Sequence, residues 1–276
     1  MAYDFDLIKV EIESGVATAT IDNPPINVIT LPLYMELIAL TEALEQDASL
    51  SVVLLKSADP DFFIAHFDVA ALLEMPIDTD PERSDELNPF HQMCRRFQTM
   101  DKVTIAQIEG RVGGGGNELA SNCDMRFGVR GKTRINQMEV GLGILPGGTG
   151  TQQLPRLIGR NRAMEVILGG EDLDAEKAEK WGYLNRIFEA DEISPFVQQL
   201  CRRIAAFPQE AVRLAKQSIN CSELPLDKGL IEEAYLFQRL LRTRDAQDMM
   251  QKFLESGGQT REGELKVDEL ISNLQD

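Results

Sequence analysis

The chain is 276 residues long, 43% hydrophobic and 26% charged, the balance of a folded globule and not of a disordered chain. Its 28 basic residues stand against 45 acidic ones, a formal net charge of -17, which disfavours nucleic acid and anionic membrane surfaces as bulk partners. An anionic small ligand stays open, because a local site rich in backbone N–H groups attracts anions whatever the overall charge.

The N-terminus, Met1 to Val10, carries Asp4, Asp6 and Lys9 and has no apolar signal-peptide core. No apolar run approaches the roughly 20 residues of a membrane span. Ile8, Val10 and Ile12 alternate with charged residues, and Val16 to Ile21 repeats the alternation after Ser14-Gly15, so both segments read as strands. Asn23-Pro24-Pro25 breaks the run. Leu33 to Leu44 has apolar residues at helical spacing, and Val52 to Leu55 is a short apolar run of the buried-strand kind.

Residues 74–90 are polar and punctuated by Pro76, Pro81 and Pro89; a stretch of that composition reads as a functional lid or a disordered loop. A helix through Met93 to Phe97 and a buried strand from Val103 to Ile108 follow. Met125 to Val129 and Arg134 to Gln137 read as a hairpin turning at Arg130-Gly131-Lys132. From about Arg160 the pattern is helical, with a strand near Leu184 to Phe188 and helices over Pro208 to Ile219, Lys228 to Leu241 and Asp245 to Leu254. The polar end, Ser256 to Asp276, reads as loosely held. Strand–helix alternation followed by a helical tail predicts an α/β core over residues 1–200 and a helical region over 201–276.

Cys94, Cys123, Cys201 and Cys221 lack C-x-x-C spacing and read as reduced, mostly buried thiols of a cytoplasmic protein. With two histidines only, His66 and His91, no metal site is expected. The strongest local feature is glycine clustering, at Gly113 to Gly116 and again at Gly141, Gly143, Gly147, Gly148 and Gly150. The first cluster follows strand Val103–Ile108 and precedes helix-compatible residues, so amides at a helix start are expected to point at an anion, with Glu118 in the first turn. Neither G-x-G-x-x-G with a trailing acid nor GK[ST] is present, and glycine runs alone also fit a flexible loop.

Four blocks remove that ambiguity. They are Asn23-Pro24-Pro25-Ile26-Asn27, the FFIAHFDV run from Phe62 to Val69, the IEGRVGGGGNELASNCD run from Ile108 to Asp124, and the MEVGLGILPGGTGTQ run from Met138 to Gln152. In this order, over residues 5–255, the sequence resembles the crotonase (enoyl-CoA hydratase/isomerase) superfamily. The resemblance implies a spiral of ββα units with a helical C-terminal oligomerisation region that packs in trimers or dimers of trimers. It implies an acyl-CoA thioester as substrate, with CoA part of the substrate and no separate cofactor.

It also implies residue roles. The amides of Phe67 and Gly115 match an oxyanion hole, and Glu118 and Glu139 match the two acid/base positions of hydratases. Ala65, His66, Asp68, Val69 and Gly114 fall where the family binds substrate, and Gly147 falls in the turn supporting the carboxylates. The chain departs from the family's pattern at His66, which stands in place of a glycine, at Phe67, whose ring narrows the acyl pocket, and at Met138, which stands where hydratases often have proline. His66 reads either as a structural histidine or as an extra catalytic or CoA-phosphate contact. The implied reaction is hydration of an α,β-unsaturated enoyl-CoA. Double-bond isomerisation, C–C hydrolysis and a non-catalytic oligomeric binding protein are the alternatives.

Overall fold

The computed structural model describes residues 3–80 and 82–274; Met1, Ala2, Pro81, Gln275 and Asp276 lie outside the described residues. Strands β1 (Ile8–Glu13) and β2 (Val16–Ile21) pair antiparallel across Ser14 and Gly15. Helix α1 (Leu31–Gln46) starts where the Thr30 side chain accepts from the Leu33 amide, with Pro32 in the first turn, where its missing N–H costs nothing. It buries Leu33, Leu37, Leu40 and Leu44, one face of a helix. Then come β3 (Val52–Ser57), β4 (Phe62–Ile64), α2 (Val69–Leu73), α3 (Pro89–Thr99), β5 (Val103–Ile108), β6 (Arg111–Gly113), α4 (Gly114–Ser121), β7 (Met125–Val129) and β8 (Arg134–Asn136).

The third part of the core holds α5 (Gly150–Ile158), α6 (Arg160–Gly169), β9 (Leu173–Asp174), α7 (Ala175–Trp181), β10 (Arg186–Phe188) and α8 (Ile193–Ala206). The chain ends in α9 (Gln209–Asn220), α10 (Leu226–Leu240), α11 (Arg244–Glu255), α12 (Arg261–Glu264) and α13 (Val267–Asn273). No helix among the described residues is long and apolar enough to cross a membrane.

Two sheets result, in the orders β1-β2-β3-β5-β7-β10 and β4-β6-β8-β9. The pairs β3–β4, β5–β6 and β7–β8 each send their first strand to the larger sheet and their second to the smaller, in parallel register. That is the expected spiral of ββα turns. The four buried residues that open β3 show why it holds together. Val53 and Leu55 join the main core, whereas Val52 and Leu54 pack with Ile105 and Phe127 against Ile193 and Val197 of α8. Both faces of the strand are covered, so alternation disappears from its sequence.

Three expectations are corrected here. Met125–Val129 and Arg134–Gln137 do not form a hairpin: β7 lies between β5 and β10, and β8 lies between β6 and β9 in the other sheet. Arg130-Gly131-Lys132 is the corner between sheets, held by the Thr133 hydroxyl, which donates to the Ile108 carbonyl at 2.6 Å and accepts from the Val129 amide at 2.8 Å. Glu118 is the fifth residue of α4 and so lies in its second turn, not its first, because the helix begins inside the glycine run. The polar end is not loose over its described part, because α13 buries Leu270 and Arg203 of α8 donates to the Asp268 carbonyl and the Ser272 hydroxyl.

A buried ion pair fastens the C-terminal helices to the core. Lys216 of α9 reaches Asp124 at 2.8 Å and donates to the carbonyls of Lys102 at 2.7 Å and Phe97 at 3.3 Å. Asp124 accepts in turn from the Thr104 amide at 2.8 Å. Burial pushes the Asp124 carboxyl up and the Lys216 ammonium down, and each opposes the other's shift. Removing one member leaves an uncompensated buried charge. Lys216→Met is therefore expected to destabilise the protein by about 3 kcal/mol at neutral pH, read as a lower midpoint in urea unfolding.

Candidate active site

Close backbone approach is the first requirement of the site. A Cβ on Gly116 would stand 2.5 Å from Ile64 Cβ, and one on Gly113 would stand 2.6 Å from the Ala65 carbonyl oxygen. Glycine therefore lets α4 lie directly on the segment leaving β4. That segment is held from the other side by the first block. Buried Asn27 donates to Ser57 Oγ at 2.7 Å and to the Phe62 and Phe63 carbonyls at 3.2 Å each.

A parallel bridge pairs Ile29 with Phe67. The Ile29 amide donates to the His66 carbonyl at 2.8 Å and the Asp68 amide to the Ile29 carbonyl at 3.1 Å. In a parallel pairing these bonds belong to the neighbours of Phe67, so its own N–H turns away from Ile29. Gly115 is the second residue of α4, and its N–H is one of the four that a helix start leaves without an intrahelical partner. A Cβ on Gly115 would stand 3.5 Å from the Phe67 nitrogen, so the two residues are close neighbours.

Phe67, Gly115, Glu118, Glu139 and Gly147 line one cavity of about 420 Å³. The two carboxylates are 4% and 9% exposed, so neither is a surface group. Glu118 Oε1 accepts from the Gly148 amide at 2.7 Å and from the Gly150 amide at 2.8 Å. Gly150 opens α5, so this carboxylate also caps the positive end of that helix. Burial nevertheless raises Glu118 to about 7, helped by the negative charge of Glu139 and opposed by the amides of Gly150, Gly148 and Thr149.

Glu139 starts a 3-10 turn that ends at Leu142. Its two oxygens accept from Gln137 Nε2 at 3.0 and 3.1 Å. Gln137 Oε1 accepts from Asn117 at 2.6 Å, and Asn117 accepts in turn from the Tyr183 hydroxyl. Gly114, at φ 48, makes room here: a Cβ would stand 3.2 Å from Glu139 Oε1.

The remaining residues named from the sequence flank the cavity without lining it. Ala65 is buried beneath Gly113. His66 has no positive φ, and its Nδ1 donates to the Phe67 carbonyl at 2.8 Å, so it steadies the Phe67 peptide. Asp68 caps α2 by accepting from the Ala70 amide at 2.9 Å, and Val69 is the first residue of that helix. Gly147 lines the cavity, but the amides that reach Glu118 belong to Gly148 and Gly150; the Gly147 carbonyl accepts from His91 Nε2 at 2.7 Å.

Sequence reasoning missed the supporting residues Gln137, Asn117, Asn122 and Thr149, and the cavity rings of Tyr34 and Phe90. Asn117, Asn122 and Thr149 stood inside quoted blocks and Gln137 one residue before one, but spacing does not say which side chains turn inward. Tyr34, Phe67 and Phe90 stand with ring centroids 5.7 to 6.0 Å apart at the cavity wall. The chain from Glu74 to Asn88 holds no helix or strand among its described residues and borders the cavity with Met75 and Asn88.

Comparison with known proteins places the chain in a family. Residues 11–262 match the family model described as enoyl-CoA hydratase/isomerase. A short-chain-enoyl-CoA hydratase of Clostridium acetobutylicum is 32% identical over 250 residues, 90% of this chain and 94% of the relative. A 2,3-dehydroadipyl-CoA hydratase of Escherichia coli is 32% identical over 236 residues, 83% of this chain and 88% of the relative. The crystal structure of an enoyl-CoA hydratase from Geobacillus kaustophilus superposes with a TM-score of 0.83 at 30% identity, covering 91% of this chain and 95% of that one. With the spiral, the four blocks and the match from residue 11 to residue 262 in agreement, the chain belongs to the enoyl-CoA hydratase/isomerase family.

Proposed function

We propose that the protein hydrates an α,β-unsaturated enoyl-CoA to the 3-hydroxyacyl thioester. One observation carries the reading: two buried carboxyl groups, Glu118 and Glu139, face the same cavity as the neighbouring residues Phe67 and Gly115. Attack of water on the β-carbon sends negative charge to the thioester oxygen. The Phe67 and Gly115 amides hold that oxygen as a pair of fixed donors, which need no reorganisation as charge develops. Glu118 and Glu139 position the water, accept its proton and return a proton to the α-carbon, so that one water is consumed and the enzyme is restored. Burial, helped by the negative charge of Glu139, favours the protonated form of Glu118.

The reading asks for no metal or redox group; CoA arrives as part of the substrate. Ala65, His66, Asp68, Val69 and Gly114 lie along the edge where the thioester and CoA would enter. Region 201–276 is proposed to join copies into a homotrimer or a dimer of trimers, which would cover Leu226, Ile231 and Phe237 of α10, all exposed in the single chain. A cytoplasmic setting suits the four free cysteines.

Three outcomes test the reading. Incubation with a panel of acyl-CoA thioesters, read by mass spectrometry, is expected to show gain of water on short enoyl-CoA; double-bond migration or chain cleavage instead would move the protein to another reaction of the family. Glu118→Gln and Glu139→Gln are each expected to lower kcat for crotonyl-CoA hydration by about 100-fold or more, the usual contribution of a positioned acid or base. Variants that match the parent in every turnover assay would point to a binding protein. Phe90→Ala opens the aromatic wall and is expected to move the kcat/KM optimum toward longer acyl chains, measured on a series of 2-enoyl-CoA substrates.

Stability should also vary with pH in a definite direction. Glu118 moves from an ordinary 4.5 to about 7 on folding, so between those values the folded state holds a proton that the unfolded state has lost. Its contribution is full below about 4.5 and disappears as pH rises through about 7. Glu118→Gln keeps an acceptor for both glycine amides and cannot ionise. Its stability relative to the parent is therefore expected to increase between pH 4.5 and 8, by about 3 kcal/mol at most, measured by urea unfolding across that range.

A further inference from the structure

Thr149 has a backbone conformation that threonine avoids. Its φ is 127° and its ψ is -11°, although a β-branched residue is strongly disfavoured at positive φ. It occupies the N-cap position of α5, where a threonine hydroxyl ordinarily accepts from the first turn, yet its side chain makes no such bond. The hydroxyl turns back instead. It accepts from Asn122 Nδ2 at 2.8 Å and donates to the Glu118 carbonyl at 3.3 Å. Asn122 Nδ2 donates to that same carbonyl at 2.8 Å, and Asn122 Oδ1 accepts from Gln153 at 3.0 Å, which sets the orientation of the amide. All of this is buried.

The dihedral angles of residue 149, together with those of Gly148, lie between the Gly148 and Gly150 amides and set the angle between them. Both N–H groups reach one oxygen, Glu118 Oε1. With residue 149 at negative φ and Gly148 unchanged, the Gly150 N–H would swing away from the Gly148 N–H, and the two would no longer converge. We propose that Thr149 is a positioning residue for Glu118: its hydroxyl, clamped by Asn122 and the Glu118 carbonyl, holds a strained turn in the one conformation that aims both glycine amides at the carboxylate. The inference rests on Glu118 being an acid/base group, but its test does not require turnover.

The hydroxyl is needed only because a Cβ is present. Glycine takes positive φ without strain and would keep the turn unaided. Valine keeps the shape of threonine and the strain but lacks the hydroxyl, so the turn relaxes. Groups facing Glu118 are Glu139 and, from α3, the Cys94 thiol, whose pKa burial raises well above the ordinary range; His91 touches the turn at the Gly147 carbonyl. None of these is altered by a change at residue 149. Divergence of the amides removes hydrogen bonds that favour the carboxylate, so Glu118 would titrate higher.

The experiment is a carboxyl-carbon NMR titration of glutamate-labelled protein, with the Glu118 signal assigned by its loss in Glu118→Gln, paired with crotonyl-CoA kinetics. Thr149→Val is expected to move the Glu118 midpoint upward and to lower kcat about tenfold, the scale of one lost hydrogen bond, with KM little changed. Thr149→Ser and Thr149→Gly are expected to restore the parental midpoint. Should the valine chain fail to fold, Thr149→Ala makes the same demand on φ with a smaller side chain and serves in its place. A parental midpoint in the valine or alanine variant overturns the proposal, as does a glycine variant displaced as far as valine. Full hydration by Glu118→Gln would instead overturn the role given to Glu118, whatever the titration shows.

Discussion

A carboxylate buried almost completely, yet held by two backbone amides, is the constraint around which this molecule is arranged. Glu118 is raised by desolvation to about 7 and would rise further without the Gly148 and Gly150 amides that bond its Oε1. The two effects oppose each other, and burial wins, leaving the carboxyl well above its ordinary value. Satisfying both requires a helix that carries the acid inward and a second helix that begins at its oxygen. Helices α4 and α5 meet those demands, and the glycines at 148 and 150 leave space for the carboxyl group.

The spiral of ββα turns explains how such a meeting comes about. Each turn places a strand in each sheet and then sends the chain back as helix or loop. The ends of β4, β6 and β8 therefore lie side by side in one sheet. Phe67 follows β4, Gly115 follows β6 and Glu139 follows β8, so three residues far apart in sequence arrive at neighbouring strand ends. The larger sheet, buried between α8 and the main core, keeps these ends in register. The site is thus carried by parallel pairing and not by any local motif.

Polar side chains then complete what backbone geometry begins. Tyr183, Asn117 and Gln137 form a buried chain that ends on Glu139, while Gln153, Asn122 and Thr149 form another that ends on the Glu118 turn. In both cases an amide side chain donates at one end and accepts at the other, which fixes its orientation. The first chain thus holds the Glu139 carboxylate directly, and the second holds the turn whose Gly148 and Gly150 amides bond the Glu118 carboxylate.

Much of this was legible in the residues. Period-two alternation marked β1 and β2, the four-leucine stripe marked α1, and the glycine run after β5 marked a close backbone approach ahead of Glu118. Order and spacing of the blocks carried the family, and with it the five residues that meet at the cavity. What the residues alone determined was local: conformational preference at glycine and proline, burial from periodicity, and the chemical types available. Tertiary structure decided which strands were neighbours, so that the apparent hairpin at Arg130–Lys132 became a corner between sheets. It also decided that Gly148 and Gly150, and not Gly147, face the acid, and that Thr149 turns its hydroxyl away from its own helix. The physical reason is that hydrogen-bond partners and desolvation depend on distances between segments remote in sequence, which no local pattern encodes.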